Sequence, residues 1–528
     1  MCGFTIYTGS DKKLRIQTAG EFQKVKYRGP DNTVILDLQD EGWMGFHRLK
    51  IMDVSDRGNQ PLVHENIHLI CNGEVYNYND LRKRYEDKYD FQSESDCEVI
   101  IPLFLEKGIK QTALELDAEF VFVLYDSVQK KYFAARDPVG IRPMFYGYSE
   151  GGDIMFASEM KAIHSLCPEV KPFPPGYYYD GEKFLPYRDI SAVKKYSNDE
   201  IDEVFMNINS LLTSAVEKRL AADVPVGFLC SGGLDSSLVC SIAARMLKKP
   251  IKTFAVGIED GPIDTKYARI VADYLGADHT EVLFTKQDIF DTLSKLIYYL
   301  ETWDITTIRA SMGMYLVSKY IAENTDVKVL MTGEISDEIF GYKYTDFAPS
   351  PDAFQQEARK RLREIFMYDV LRADRSISSN GLEARVPFGD LAFVEYVMSI
   401  RPELKMNFTG IGKYLLRKAF EGDYLPRDIL YREKAAFSDA VGHSVVDNLK
   451  AWAEQIYSDE DLMLAKTKYL YSPPISKESL MYREIFELHF PGRATVIKGF
   501  WMPNRSWENC NVNDPSARVL PNYGKSGE

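Results

Sequence analysis

The sequence lacks four things, and each absence narrows what the chain can be. Its seven cysteines, Cys2, Cys71, Cys97, Cys167, Cys230, Cys240 and Cys510, are scattered and form no CxxC pair. That argues against a disulfide framework and against a zinc or iron–sulfur centre, and predicts a reducing compartment. No run approaches the roughly 18 consecutive apolar residues of a membrane span. The start MCGFTIYTGSDKK has no charged segment leading into a long apolar core, so no membrane association is expected and the cytoplasm is the expected location. Basic charge is not in excess: 64 Lys and Arg face 78 Asp and Glu, for a net charge of −14, which disfavours a nucleic-acid partner. Finally, no lysine follows the glycines of Ser231-Gly-Gly-Leu-Asp-Ser-Ser237, which excludes the GxxxxGKS/T loop of kinases and P-loop ATPases.

What is present is an ordinary globular composition, 45% hydrophobic and 27% charged. The 528 residues are enough for two large domains at about 150 residues or more each. Up to about residue 185 the chain reads as short strands separated by turns (CGFTIYTG, GWMGFHRL, IHLICNG, FVFVLYD, IMFASE) with few helices, an α+β pattern. A polar stretch without either period, Pro186 to Glu200, places a boundary near 190. Beyond it helices alternate with apolar strand candidates at Pro225–Cys230, Ile251–Gly257 and Val327–Thr332. That alternation predicts a parallel, doubly wound sheet with its ligands beyond the carboxyl ends of the strands. The domains are expected at 1–190 and 191–510, with a flexible tail at 511–528.

Two constellations carry chemistry. Removal of Met1 would give Cys2 both a thiol nucleophile and an α-amine of pKa ~7.7–8.0 to serve as its base. In the second half, the glycines of SGGLDSS free N–H groups at a helix start for phosphate oxygens, and Asp235 offers a carboxylate. Glu334, Asp337 and Glu338 in Gly333-Glu-Ile-Ser-Asp-Glu338 would repel phosphates unless a cation compensates. Mg2+ bridging pyrophosphate oxygens to Asp235 and Asp337 resolves that conflict. Each motif alone is an ordinary turn or a solvated helix start.

Taken together, MCG, RGPD (28–31), HRL (47–49), NGE (72–74) and Ser95-Asp96 resemble the glutaminase domain of the class II glutamine amidotransferases, which are N-terminal nucleophile hydrolases of αββα sandwich fold. The resemblance implies that Cys2 attacks the side-chain amide of glutamine and that Asn72 and the Gly73 N–H form an oxyanion hole. It further implies that Arg48 holds the α-carboxylate of glutamine, and Glu74 and Asp96 its α-ammonium. RDPVGIRPMFYG and FASEMKAI also resemble the second half of this domain; Ser158-Glu-Met-Lys161 reads equally as a helix start with a solvated charge pair, and is given no catalytic role.

The segments SGGLDSS, FAVG, ETWDITTIRAS, GEISDEIFG, MYDVLRADR, GLEARVPF and FSDAVG extend the resemblance to the glutamine-hydrolysing asparagine synthetase family. Its second domain is of the PP-loop, adenine nucleotide alpha hydrolase-like kind, with additional helices. The implied substrates are glutamine, aspartate and ATP, with Mg2+, and a homodimer is the expected assembly. Leu229, Ser231, Gly232, Gly233, Asp235, Ser236, Ser237, Val256 and Gly333 would bind ATP, and Asp235 and Asp337 the metal. Glu334 would be the base toward ammonia, and Lys434 would neutralise the phosphates. Arg309, Glu383 and Arg385 are candidates for the aspartate site, and ammonia would pass internally, kept from protonation in bulk water. Three departures from the family pattern stand near these segments: Ile335 and Tyr342 where glycines are usual, and Ala440 in FSDAVG. Alternatives are an amidotransferase acting on another carboxylate, or a catalytically impaired relative.

Overall fold

The computed structural model describes residues 1–259, 264–433 and 443–524. The chain divides into two compact units. One comprises Met1–Ile190, Ala222–Pro225 and Ser378–Glu383; the other comprises Ser191–Ala221, Val226–Ile377 and Ala384–Glu528.

Two six-stranded antiparallel sheets build the first unit. In one, Gly3–Tyr7 lies between Ile154–Ala157 and Trp43–Arg48; in the other, Ala118–Asp126 lies between Lys131–Arg136 and Ile67–Val75. Ala118–Asp126 (AEFVFVLYD) explains the layering, because all nine residues are buried and alternate side chains serve opposite faces. Phe120, Phe122 and Leu124 join Leu69 and Cys71 under Ile100, Ile101, Leu103 and Phe104 of the helix Ile100–Glu115. Val121, Val123 and Tyr125 meet Phe4, Ile6, Met44 and Phe46 of the first sheet. On that sheet's outer face the helix Lys12–Phe22 ends with Phe22 stacked on His47, ring centroids 3.7 Å apart. The result is the αββα sandwich.

Of the two readings of Ser158–Lys161, the solvated charge pair is excluded, because Glu159 and Lys161 are fully buried. The physical reason for that burial is Arg28, also fully buried, whose Nη1 lies 2.6 Å from Glu159 Oε1. A buried guanidinium needs a carboxylate beside it.

The second unit is built on a five-stranded sheet in the order Asp278–Phe284, Lys252–Ile258, Val226–Leu229, Val329–Met331, Glu383–Arg385. The first four pair in parallel. Asp278–Phe284 escapes a pattern reading because most of its side chains face solvent wholly or in part, and Glu383–Arg385 is only three residues long. From Val226–Leu229 the chain moves outward through two strands on one side, then returns to Val329–Met331 on the other. Such a reversal leaves a crevice at the carboxyl ends of the two central strands. Ser231 and Gly333 follow those ends.

Residues 511–524, expected to be flexible, are folded against this unit. Asp514 lies 2.9 Å from Arg309 Nη1 and 2.6 Å from Lys450 Nζ, and Asn522 Nδ2 donates to Lys343 O and Asp346 Oδ2. The buried Arg309 supplies the reason, since it faces two carboxylates, those of Glu478 and Asp514.

Candidate functional site

In the first unit, Cys2 sits immediately before the strand Gly3–Tyr7. Its backbone N–H donates to Asn72 Oδ1 at 2.9 Å, and the Leu49 N–H approaches Sγ at 3.4 Å. Arg28 Nε donates to the Cys2 carbonyl at 2.9 Å. Burial pushes the Cys2 thiol above its usual range, against the pull of the N-terminal ammonium. Asn72 is 1% exposed and its Nδ2 has no hydrogen-bond partner. A buried amide donor without an acceptor costs about 1–3 kcal/mol, and this one belongs to the amide that receives the Cys2 N–H, where an amide carbonyl turning tetrahedral would need it. Gly73 admits no side chain: a Cβ would lie 2.4 Å from Glu119 O and 2.8 Å from Phe120 Cα.

The other expected glutamine contacts are already engaged. Arg48 donates to Ser55 O, Asn59 Oδ1, Met52 O and Asp53 O, so it braces the 52–59 loop. Asp96 Oδ2 accepts from the Val75 N–H at 2.7 Å, and Glu74 is buried. Met1 is buried too: its amine is 4.0 Å from Glu383 Oε2, and burial pushes it down to about 6 against that attraction.

The second unit holds a cavity of about 660 Å³ at the crevice. Leu229, Ser231, Gly233, Asp235, Ser236, Val256, Gly333, Glu334, Asp337 and Arg309 all line it. Gly232 and Ser237 do not: Gly232 turns the chain at φ +69°, where a Cβ would lie 2.4 Å from the Tyr267 carbonyl carbon and 2.5 Å from the Ala268 nitrogen, and the Ser237 hydroxyl is buried without a partner. The helix Leu234–Leu247 starts at Gly233 with no side chain capping its free N–H groups, an arrangement suited to phosphate. Gly333 lets the two loops meet, because a Cβ there would be 2.9 Å from the Ser236 nitrogen.

Glu334 is held by Arg372, whose Nη2 lies 3.4 Å from Oε1, while Oε2 is buried with no hydrogen-bond partner. Next to it, Ile335 adopts φ +81°, ψ −25° and is 1% exposed. A β-branched residue rarely enters the left-handed region, at a cost of about 1–3 kcal/mol. The glycine expected at this position is thus replaced without a change to a glycine-like backbone. Tyr342, by contrast, has an ordinary extended φ of −126°. Burial, with Asp369 and Asp337 alongside, pushes the Glu338 carboxyl up to about 8.

Sequence reasoning missed Lys413, which is 7% exposed. Its Nζ lies 2.8 Å from both oxygens of Asp235, 2.6 Å from Asp337 Oδ1 and 2.9 Å from Ser336 Oγ. Ser336 Oγ also donates to Asp235 Oδ1 at 2.8 Å. The available signal was Gly410-Ile-Gly-Lys413, a lysine behind two glycines. Asp235 and Asp337 fit a divalent cation in that both converge on one point. Mg2+ takes one or two protein carboxylates and completes its shell with phosphate oxygens and water. Among the described residues no three His, Cys, Asp or Glu side chains surround a single metal position.

The aspartate-site candidates are committed elsewhere. Arg309 is paired with Glu478 and Asp514; burial works against its charge, but the two carboxylates outweigh it and hold the guanidinium pKa well up. Glu383 approaches Met1 and Arg142. Arg385 Nη1 donates to Arg219 O and Ala221 O, and neither residue lines the cavity. Lys434 and Ala440 lie outside the described residues.

A half-buried thiol with a waiting amide donor nearby, and a glycine loop at a helix start facing a carboxylate with one oxygen left over, suit an amidotransferase joined to a nucleotide-dependent synthetase. The glutamine amidotransferase domain family matches residues 1–174, and the asparagine synthase family matches 207–350 and 346–517. Glutamine-hydrolysing asparagine synthetases of Cricetulus griseus and Homo sapiens are each 40% identical over 564 aligned residues, covering 99% of this chain and of theirs. A probable enzyme of that name from Acanthamoeba polyphaga mimivirus is 41% identical over 557, covering 99% of this chain and 100% of its own. The chain belongs to the glutamine-hydrolysing asparagine synthetase family. Among solved structures, a glutamine phosphoribosylpyrophosphate amidotransferase from B. subtilis aligns with 53% of this chain and 65% of its own, at 17% identity and a TM-score of 0.30.

Proposed function

We propose that the chain makes asparagine from aspartate, using the amide nitrogen of glutamine and the energy of ATP cleavage to AMP and pyrophosphate. The observation that carries this reading is the pair of unsatisfied polar atoms, one in each unit: Asn72 Nδ2, on the amide that receives the Cys2 N–H, and Glu334 Oε2 beside the Ser231–Ser236 loop.

Once Met1 is removed, the Cys2 α-amine takes the thiol proton. Sulfur then bonds to the amide carbon of glutamine while Asn72 Nδ2 and the Gly73 N–H hold the oxyanion. Ammonia leaves with that proton, and water cleaves the thioester to glutamate. Arg48 would serve the α-carboxylate by way of the loop it braces, with Glu74 and Asp96 on the α-ammonium.

At the second unit, the aspartate side-chain carboxylate attacks the α-phosphorus of ATP, its bond to the β-phosphate oxygen breaks, and pyrophosphate leaves. Leu229, Val256 and Gly333 border the nucleoside, while Ser231, Gly233 and Ser236 hold the phosphates. Mg2+, held by Asp235 and Asp337, would supply positive charge to the leaving pyrophosphate, and Lys434 would add to it. Ammonia then attacks the acyl carbon, Glu334 accepts its proton, and AMP departs. The chain is proposed to act in the cytoplasm, and a homodimer is its proposed assembly.

The acceptor is the point to test, because Arg309, though it lines the cavity, is paired with Glu478 and Asp514, and neither Glu383 nor Arg385 lines it. ATP–pyrophosphate exchange should depend on aspartate and should vanish in Asp235→Ala, while glutaminase activity persists. Exchange with another carboxylic acid and none with aspartate would instead make the chain an amidotransferase for that acid.

A further inference from the structure

The phosphate loop of the second unit has no lysine of its own, yet a lysine reaches it from 178 residues away. Lys413 Nζ makes its contacts with Asp235 Oδ1 and Oδ2, Asp337 Oδ1 and Ser336 Oγ, and these bind the two loops of the crevice to one another. The side chain is nine-tenths buried and lines the cavity with Ser231, Gly233 and Ser236. Its own backbone takes φ +56° just before the helix Tyr414–Ala419, so the ammonium is delivered by a turn rather than by a flexible arm. A structural ion pair needs one carboxylate. This ammonium is shared between two, both assigned to the metal, and it occupies the point on which they converge. A divalent cation and Lys413 therefore compete for the same oxygens.

We propose that Lys413 is a phosphate-binding residue of the synthetase site that also guards the metal position. Without nucleotide its ammonium neutralises Asp235 and Asp337, so a divalent cation alone binds poorly. When nucleotide brings the cation, the carboxylates pass to the metal, and the released ammonium faces the pyrophosphate. Ordered loading follows, with metal entering together with phosphate. The inference rests on the reading of this cavity as the nucleotide site.

Binding to the full chain tests it without turnover. Mn2+, followed by its paramagnetic resonance signal without nucleotide, should bind Lys413→Met at least about tenfold more tightly than the wild type, since a competing charge has gone. Adding Asp337→Asn to that variant should return the affinity to the wild-type level. Inorganic pyrophosphate, measured by calorimetry at saturating Mg2+, should bind Lys413→Met at least about tenfold more weakly, and Lys413→Arg within about threefold of wild type. The Arg variant carries the test if loss of the buried cation prevents folding of the Met variant. Unchanged Mn2+ and pyrophosphate affinities in Lys413→Met, or loss of pyrophosphate binding by a folded Lys413→Arg, would overturn the proposal. If these shifts appear but no asparagine forms with aspartate, the assigned activity fails while the role of Lys413 stands.

Discussion

The two sites solve opposite electrostatic problems. In the first unit, backbone and amide groups surround Cys2 within a closed sheet sandwich, and the poised element is a neutral donor, Asn72 Nδ2. In the second, charges dominate: Asp235, Asp337 and Glu334 face Lys413 and Arg372 at the edge of a cavity. The first site can be assembled by strand register alone, since Asn72 and Gly73 are placed by pairing with Val121 and Phe120. The second requires residues far apart in sequence to balance one another, so its members are interdependent where those of the first are not.

The largest effect that would break this contrast is at Cys2. Cys2→Ala should abolish glutamine-dependent asparagine formation while leaving ammonium-dependent formation within about threefold, read in parallel assays; equal loss of both would mean the sites are not separable. Glu334→Gln should do the reverse, lowering ammonium-dependent synthesis about 10²–10⁴-fold and sparing glutaminase activity.

Arg309→Met tests whether a cavity-lining cation is structural. It leaves the buried Glu478 without its cation, while Asp514 keeps Lys450, and should cost about 3–5 kcal/mol in a urea melt. The aspartate KM of the folded fraction should be unchanged. Ile335→Gly sets strain against burial. Relief of the left-handed backbone is worth about 1–3 kcal/mol, but losing a fully buried branched side chain costs about 2–5, so the variant should be less stable by about 1–3 kcal/mol.

A separate effect, read as a pH slope, is at Lys405. Its Nζ meets only the neutral Gln355 Oε1 and Val397 O in hydrogen bonds, and burial pushes its pKa down to about 7. Between an unfolded value near about 10.4 and 7, the unfolded chain binds a proton that the folded chain does not. Stability therefore falls as the pH drops through that window and levels off below it. Lys405→Met should melt higher than wild type at pH 7, with an advantage that shrinks toward pH 10.

The contrast also decides what the sequence could reveal. Apolar runs exposed Ala118–Asp126 and the three inner parallel strands alike, because burial on both faces imposes a run. Asp278–Phe284 carried none. Cys2 and the Ser231–Ser237 loop were nominated by residues at fixed local spacing, and Asn72 by the family motif that carries it. Lys413 was not, since the two glycines before it say nothing of the carboxylates it balances, Asp235 among them 178 residues away. The same blindness to distant partners made Glu159 and Lys161 look solvated, Arg309 look available and residues 511–524 look loose. Ile335 was visible as a missing glycine, and its φ of +81° gives that absence a physical meaning.

The central claim is that nitrogen released at the first unit is built into the product of the second. Incubating the full chain with aspartate, MgATP and glutamine labelled with ¹⁵N at the side-chain amide tests it by mass spectrometry. The account predicts amide-labelled asparagine, glutamate, AMP and pyrophosphate in equal amounts; unlabelled aspartate recovered intact, with glutamate as the sole product or with ADP in place of AMP, would contradict it.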